Sequence, residues 1–563
     1  MDSMILNELS LTNRRNSLDE VRVLDNNDEN IEEFNRLLNN DGVKQSSSSS
    51  SNTPRHCSKK ELVTYIICFI VAIIFWNISV EGKEGITPTS MHLFAVFLLI
   101  VLLLLFTRAR ISIVIAFALG FLSLTQNFKC RTIDNIMVDC SKCGKPISSD
   151  DENKIYKCNA SKGAFSVSLS GYSDHINWLV FFAYQIGKSI EKTGLGKRIS
   201  YIILKHFGNS LLGIGYAIFI IELILAPFIP SNVARGGCIV LPIVNSIIEN
   251  ISQNYHVASK ASEFLYLCGN HANLIISSIY LTGSASNPVL ISKVGSTYGS
   301  EYELSFLQWF IGAIVPATLL IILVPQIISK YLDQGNMNLE QTKSYSERML
   351  RQMKEMSRDE KFLCLVFAIC LSLWVTTSFT GINSSLVTFI GVLSLISFKV
   401  ISWDDILSNK KAWDTFFWLG GMIVMANQLS EVGISALIGD YIASFVKSIP
   451  IFPIQVVLLF IFYFLSMFFF SSLTGHVIAL AGPFMKAAEE LAIPKGLTVA
   501  FLAYYTLLCS CLTHYSCGTS VMYYSQSRMR TKQFITVGLI ISIFSITIYS
   551  TLGSFWWKIL GWY

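Results

Sequence analysis

The feature that most constrains this chain is a series of apolar stretches close to 20 residues long, two of them interrupted by Pro, Gly, Ser and Asn. A helix of about 20 apolar residues crosses the ~30 Å hydrocarbon core of a bilayer. Charged residues make up 14% of the 563 and hydrophobic residues 52%, where a soluble domain carries about 25% charged. The expected fold is therefore an all-α polytopic membrane protein. Single spans are predicted near 61–80, 88–107, 109–126, 174–192, 263–292, 304–329, 362–380, 385–400, 413–446, 497–525 and 534–555. The interrupted regions 205–248 and 452–493 read as re-entrant hairpins, because irregular backbone at membrane depth must be covered by protein or line a watery cavity. The sum is about eleven spans plus two hairpins.

Positive charge orients the chain. With the N-terminus in the cytoplasm, Arg108, Arg110, Lys188, Lys192, Lys197 and Arg198 fall inside. So do the loop carrying Lys343, Arg348, Arg351, Lys354 and Arg358, the pair Lys410-Lys411, and Arg528, Arg530 and Lys532. Loop 127–173 is then exoplasmic despite seven Lys and Arg residues, which Asp134, Asp139, Asp150, Asp151 and Glu152 partly offset. It holds Cys130, Cys140, Cys143 and Cys158 and the sequon Asn159-Ala160-Ser161, a glycosylation candidate. An oxidising location favours two disulfides over a zinc site, with three pairings open. Residues 1–60, rich in Asn, Asp, Glu and Ser, are expected to be a disordered cytoplasmic tail without signal-peptide or transit-peptide character. No basic run points to nucleic acid.

The membrane domain, 61–563, contains a repeat. Ile190-Glu191-Lys192-Thr193-Gly194-Leu195 resembles Leu429-Ser430-Glu431-Val432-Gly433-Ile434, and the break at Ser231 has its counterpart at Ser472. A second break follows in each half, at Thr282-Gly283-Ser284-Ala285-Ser286-Asn287-Pro288 and at Thr513-His514-Tyr515-Ser516-Cys517-Gly518. Repeat one covers about 88–329 and repeat two about 362–555, and the charge bias runs them in opposite directions. Inverted repeats with interrupted helices are a plan of secondary transporters, with the substrate near the midplane. Ser231, Asn232, Ser472 and Thr474 can donate to carboxylate oxygens, and Asn287 and Ser516 can complete the cage or bind a cation. The plainer reading of any one such motif is repair of broken backbone.

Arg235 lies four residues past Ser231, and His476 four past Ser472. An intramembrane cation is costly and marks function by default; the two could be counter-charge for a doubly negative substrate. The alternative is that each neutralises carbonyls or an acid such as Glu222. His271 and His514 could relay protons or simply pack, and His92 belongs to an interface. No catalytic triad, metal-ligand spacing or phosphate loop stands out, so neither an enzyme nor a metal or cofactor is expected.

The run Ala226-Pro227-Phe228-Ile229-Pro230-Ser231-Asn232-Val233-Ala234-Arg235-Gly236-Gly237 resembles the A-P-x-x-P-S-[NT]-T-A-R-[AG]-G signature of the divalent anion/sodium symporter superfamily. Ser471-Ser472-Leu473-Thr474-Gly475-His476 resembles the A-S-L-T-A-H motif of its citrate/succinate antiporter and plastid 2-oxoglutarate/malate translocator branch. Ala272-Asn273-Leu274, Trp418-Leu419-Gly420-Gly421 and Phe555-Trp556-Trp557-Lys558 also fit. The resemblance implies an elevator-type homodimer for di- or tricarboxylates, with Ser231, Asn232, Val233, Ser472, Leu473 and Thr474 at the carboxylate-binding tips. It places Gly283 and Cys517 near the cation sites of sodium-coupled relatives. Val233 stands where the family has Thr. The expected function is dicarboxylate exchange with Arg235 and His476 replacing coupled sodium. The rivals are a sodium-coupled carboxylate or sulfate symporter and, from another class, a receptor or scaffold that does not transport. Plasma membrane and internal membranes are both open.

Overall fold

The structure, a computed structural model, describes residues 59–78, 86–107, 109–146, 155–251, 255–332, 340–527 and 529–563. The tail expected at 1–60 lies outside them but for its last two residues. The described residues are helical apart from one two-stranded sheet.

Three apolar helices come first: α1 (Lys59–Trp76), α2 (Pro88–Phe106) and α3 (Ile111–Leu124). In its described residues, loop 127–173 carries a small cap, which sequence reasoning left without structure. β1 (Lys129–Arg131) pairs antiparallel with β2 (Met137–Asp139), Cys130 opposite Val138. Disulfides join Cys130 to Cys140 and Cys143 to Cys158. Asn159 caps α4 (Ala160–Leu169), its side-chain oxygen accepting from the Lys162 N–H at 2.9 Å.

The order of elements is then similar in two stretches of the chain. In the first, α5 (His175–Thr193) ends at Gly194, whose φ of +79° sits in the left-handed region glycine favours. There follow amphipathic α6 (Leu195–Phe207), α7 (Leu211–Leu225), an irregular tip, and a returning helix that continues as α8 (Leu241–Ile251). Next, α9 (Tyr255–Ile279) breaks before α10 (Ser286–Tyr298), and α11 (Phe306–Tyr331) closes the half. A connector carries α12 (Glu340–Gln352), α13 (Arg358–Thr380), α14 (Ser384–Ser397) and the short α15 (Trp403–Ser408). The second half opens with α16 (Lys410–Glu431), turns at Gly433 (φ +80°) into α17 (Ile434–Lys447), and forms its hairpin from α18 (Phe452–Leu465) and α19 (Leu473–Glu490). Then α20 (Lys495–Leu508) breaks before α21 (Gly518–Ser527), and α22 (Thr531–Ile548) completes it.

Several expected spans change. The stretch 413–446 is two helices bent by 67°, because Gly433 adopts the same left-handed turn as Gly194. The stretches 263–292 and 497–525 are each broken in the middle. The region 205–248 begins inside α6, which belongs to the approach and not to the hairpin. Among the described residues, four helices are long and apolar enough to cross a membrane unaided: Phe306–Tyr331, Phe452–Phe469, Lys495–Leu512 and Thr531–Ile559; the bent pair makes a fifth if it counts as one span. The remaining apolar helices are shorter.

Ion pairs brace the connector. Arg198 of α6 is buried, donates through Nε to Glu360 at 2.7 Å, and bonds the carbonyls of Met353, Lys354 and Glu355. Lys192 meets Asp405 at 2.6 Å. The cap docks on α16, where Gln428 accepts from the Lys129 N–H at 2.7 Å.

Candidate functional site: two helix tips and their broken partners

The two tips begin the same way. The Ser231 hydroxyl accepts from the Ala234 N–H at 3.1 Å, and the Ser231 carbonyl accepts from the Arg235 N–H at 2.9 Å. The Ser472 hydroxyl accepts from the Gly475 N–H at 3.2 Å, and the Ser472 carbonyl from the His476 N–H at 3.0 Å. Each serine is thus an N-cap. In each tip the N–H groups of the next two residues, Asn232 and Val233 or Leu473 and Thr474, come before the first turn closes. Such groups at a helix start favour an anion. Ser231, Val233, Ser472 and Thr474 are half-buried, whereas Asn232 and Leu473 are buried.

Behind the tips the halves diverge. Arg235 and Glu222 are fully buried and paired, Nε to carboxylate. One Arg235 amine donates to the Ile229 carbonyl at 2.7 Å and to the Gly283 carbonyl at 3.1 Å; the other reaches the Ser277 hydroxyl. Asn273 donates to both Glu222 oxygens and to the Asn232 carbonyl at 3.0 Å. The free counter-charge expected of Arg235 is therefore corrected: its charge is balanced by Glu222 and its donors face inward. From α8 onward the backbone continues smoothly, but residues Ala234–Val240 form wide turns, with the Leu241 N–H reaching back five residues to Gly236. Such widenings gather at functional sites.

The second tip has no acid. His476 is buried, its Nε2 within 3.2 Å of the Tyr463 carbonyl and 2.8 Å of the Ser466 hydroxyl, with no partner at Nδ1. Glu222 and Tyr463 are 241 residues apart, as are Arg235 and His476. Where the first pair of positions holds an ion pair, the second holds a ring-to-carbonyl contact.

The second breaks complete the picture. Asn287 donates to the Ser277 and Tyr280 carbonyls, both at 2.9 Å, and its oxygen is buried without a partner. A side chain at Gly283 would come within 2.5 Å of the Ser277 carbonyl, so this close turn requires glycine. Ser516 donates to the Ser510 and Thr513 carbonyls at 2.6 and 3.0 Å, which turns its hydroxyl into its own loop and away from the cage expected of it. Cys517 lies 3.9 Å from the Asn232 amide, and Gly518 faces the Val233 methyls. Tyr515 donates to the Phe468 carbonyl at 2.9 Å. Segment 513–518 thus touches both hairpins. Val233 in place of Thr packs on Gly518, where a hydroxyl would lose that apolar contact.

Sequence reasoning missed Lys293, which is buried and donates to the Ala426 carbonyl and, at 2.8 Å, to the Ser430 hydroxyl. It ties α10 of the first half to α16 of the second. A lone lysine in mid-helix gives no motif to find it by. Ser277 was missed for the same reason. His271 is buried with neither ring nitrogen partnered, and His514 lies against Tyr524 with the rings tilted by 41°. Among the described residues no cluster of His, Cys, Asp or Glu could hold a metal.

Broken helix pairs repeated in two halves, with N-capped tips beside them, define an integral multi-pass membrane protein built on a transporter plan. Residues 59–563 match the family described as the sodium:sulfate symporter transmembrane region, and the chain belongs to that family. It is 28% identical over 506 residues to the putative malate transporter YflS of Bacillus subtilis (90% of this chain, 98% of the relative). It is 30% identical over 407 residues to the chloroplastic dicarboxylate transporter 2.1 of Arabidopsis thaliana (71% of each). With the L-tartrate/succinate antiporter of Escherichia coli the identity is 32% over 402 residues (70% and 81%). The crystal structure of the Alcanivorax borkumensis YdaH transporter aligns with a TM-score of 0.48 at 9% identity (80% and 99%).

Proposed function

We propose that this chain exchanges small di- or tricarboxylates across a membrane without a coupled sodium ion. The observation that carries the reading is the place of the Arg235 guanidinium. It bonds the Ile229 and Gly283 carbonyls, two acceptors exposed where helices break at the first tip and at its second break. Carbonyls of interrupted helices are what a coupling cation uses in sodium-driven carriers; here a fixed cation takes them. The unclosed N–H groups at Asn232–Val233 and Leu473–Thr474 receive the substrate carboxylates. The substrate class is malate, 2-oxoglutarate, succinate and citrate. Relatives named as dicarboxylate transporters and as a tartrate/succinate antiporter support that class and the exchange mode.

In this reading the halves are inverted repeats, 205–248 and 452–493 contain the re-entrant hairpins, and about eleven spans complete each protomer of a homodimer. The hairpins and broken helices move as a body, elevator fashion. Purified protein in liposomes tests the reading. Uptake of labelled malate into vesicles preloaded with unlabelled malate, and little into empty ones, supports exchange. Equal uptake into both overturns it, and no flux with any of the four acids leaves a non-transporting receptor as the better account.

A further inference from the structure

A groove lies away from the tips, between α1, α2 and α3. These helices enclose a groove of about 690 Å³, lined by apolar side chains along its length. Its wall on α1 runs from Tyr65 to Trp76, a rise of eleven steps, hence about 17 Å deep at 1.5 Å per step. That is over half of the ~30 Å hydrocarbon core.

The two ends differ. At one, Trp76 stacks on His92 with ring centroids 3.9 Å apart, and His92 is held by Asn127 at 3.0 Å, which closes the groove with aromatic rings. At the other, the wall is formed by Tyr65, Leu103 and Ala109. Beside it stands exposed Arg110, and α1 starts with Lys59-Lys60. The charge bias that orients the chain puts this basic end in the cytoplasm. A long apolar slot, closed at depth and basic at the mouth, suits a chain with an anionic head.

We propose that this groove holds one acyl chain of an anionic phospholipid of the cytoplasmic leaflet, its phosphate at Arg110. The side assignment rests on the orientation adopted above; the site itself does not depend on transport. Basic pockets between membrane helices are known takers of anionic headgroups.

Trp76 reports on the site. Full-length protein is reconstituted in vesicles containing phosphatidylserine or phosphatidylcholine brominated along the acyl chains, with Trp76→Phe subtracted to isolate one tryptophan. The expected result is quenching of the Trp76 signal, with about fivefold preference for phosphatidylserine, the size one cation near an anionic surface confers. Arg110→Glu removes the preference, and Ala118→Phe, which fills the groove, removes the quenching. Equal quenching by both lipids that Arg110→Glu leaves unchanged means ordinary boundary lipid and overturns the proposal. No quenching by either lipid means the groove is covered by protein, such as a second copy, and overturns it too. Because the readout is fluorescence, a chain without dicarboxylate flux still answers the question.

Discussion

The two hairpins have one tip design and two different supports. At the first, Arg235 and Glu222 form a buried ion pair whose remaining donors are taken by Ile229, Gly283 and Ser277. At the second, the equivalent positions hold His476 and Tyr463, which meet through a ring nitrogen and a carbonyl. The first support has its buried charges matched inside it. The second has no ion pair, only hydrogen bonds, and an unpartnered nitrogen. Both tips keep a capping serine, and the groups behind the serines differ in chemistry.

Mutations can break this contrast. The largest effect is expected at the first tip: Arg235→Ala or Glu222→Ala strands a buried charge, at about 3–5 kcal/mol. Thermal unfolding in detergent, read by tryptophan fluorescence, should show it. Because the penalty belongs to the stranded partner, Arg235→Met combined with Glu222→Leu should recover most of the loss. A double variant as unstable as the singles would refute the ion-pair account.

A middle effect is expected at His476→Ala, about 1–3 kcal/mol for the lost buried ring and its hydrogen bonds to the Tyr463 carbonyl and Ser466 hydroxyl, which still bond each other. His476→Gln, which can present a donor at the same place, should restore much of the stability. Ser231→Ala and Ser472→Ala each remove a cap worth about 0.5–2 kcal/mol. They should lower exchange rate by similar factors, since the two caps are alike; a large difference between them would mean the tips do not share the substrate.

The smallest effect lies outside the membrane. Hydrogen bonding to Lys192, then to the Ser402 backbone, holds the Asp405 carboxyl down at about 2. A depressed carboxyl stabilises the fold above its unfolded pKa, near 3.9, and that contribution disappears as pH falls toward 2. In Lys192→Met the acid unfolding midpoint should therefore move to higher pH. The shift at neutral pH should stay below about 1 kcal/mol, as for other partly exposed pairs. An unchanged acid midpoint would contradict the pairing.

Much of this was readable from the residues. The proline, serine and glycine of each tip break helices for local reasons, so their positions and their spacing survive in one dimension. The pairing of Arg235 with Glu222 was visible only as an alternative, because thirteen residues across a hairpin carry no periodic signal. The bend at Gly433 was hidden in an apolar run, and its twin at Gly194 was legible only as a repeated string. Lys293 and Ser277 act through partners 137 and 42 residues away, contacts that only the packed fold creates. The cap was legible as four cysteines, but its pairing needed the strand register that sets Cys130 opposite Val138.

The central claim is that a fixed guanidinium at the first tip takes the carbonyls a coupling ion would otherwise need. Its most direct test is the initial rate of malate exchange in preloaded proteoliposomes, with sodium and with sodium fully replaced by potassium at constant ionic strength. The account predicts equal rates. A rate that rises steeply with sodium, or uptake that needs sodium but no internal substrate, would contradict it.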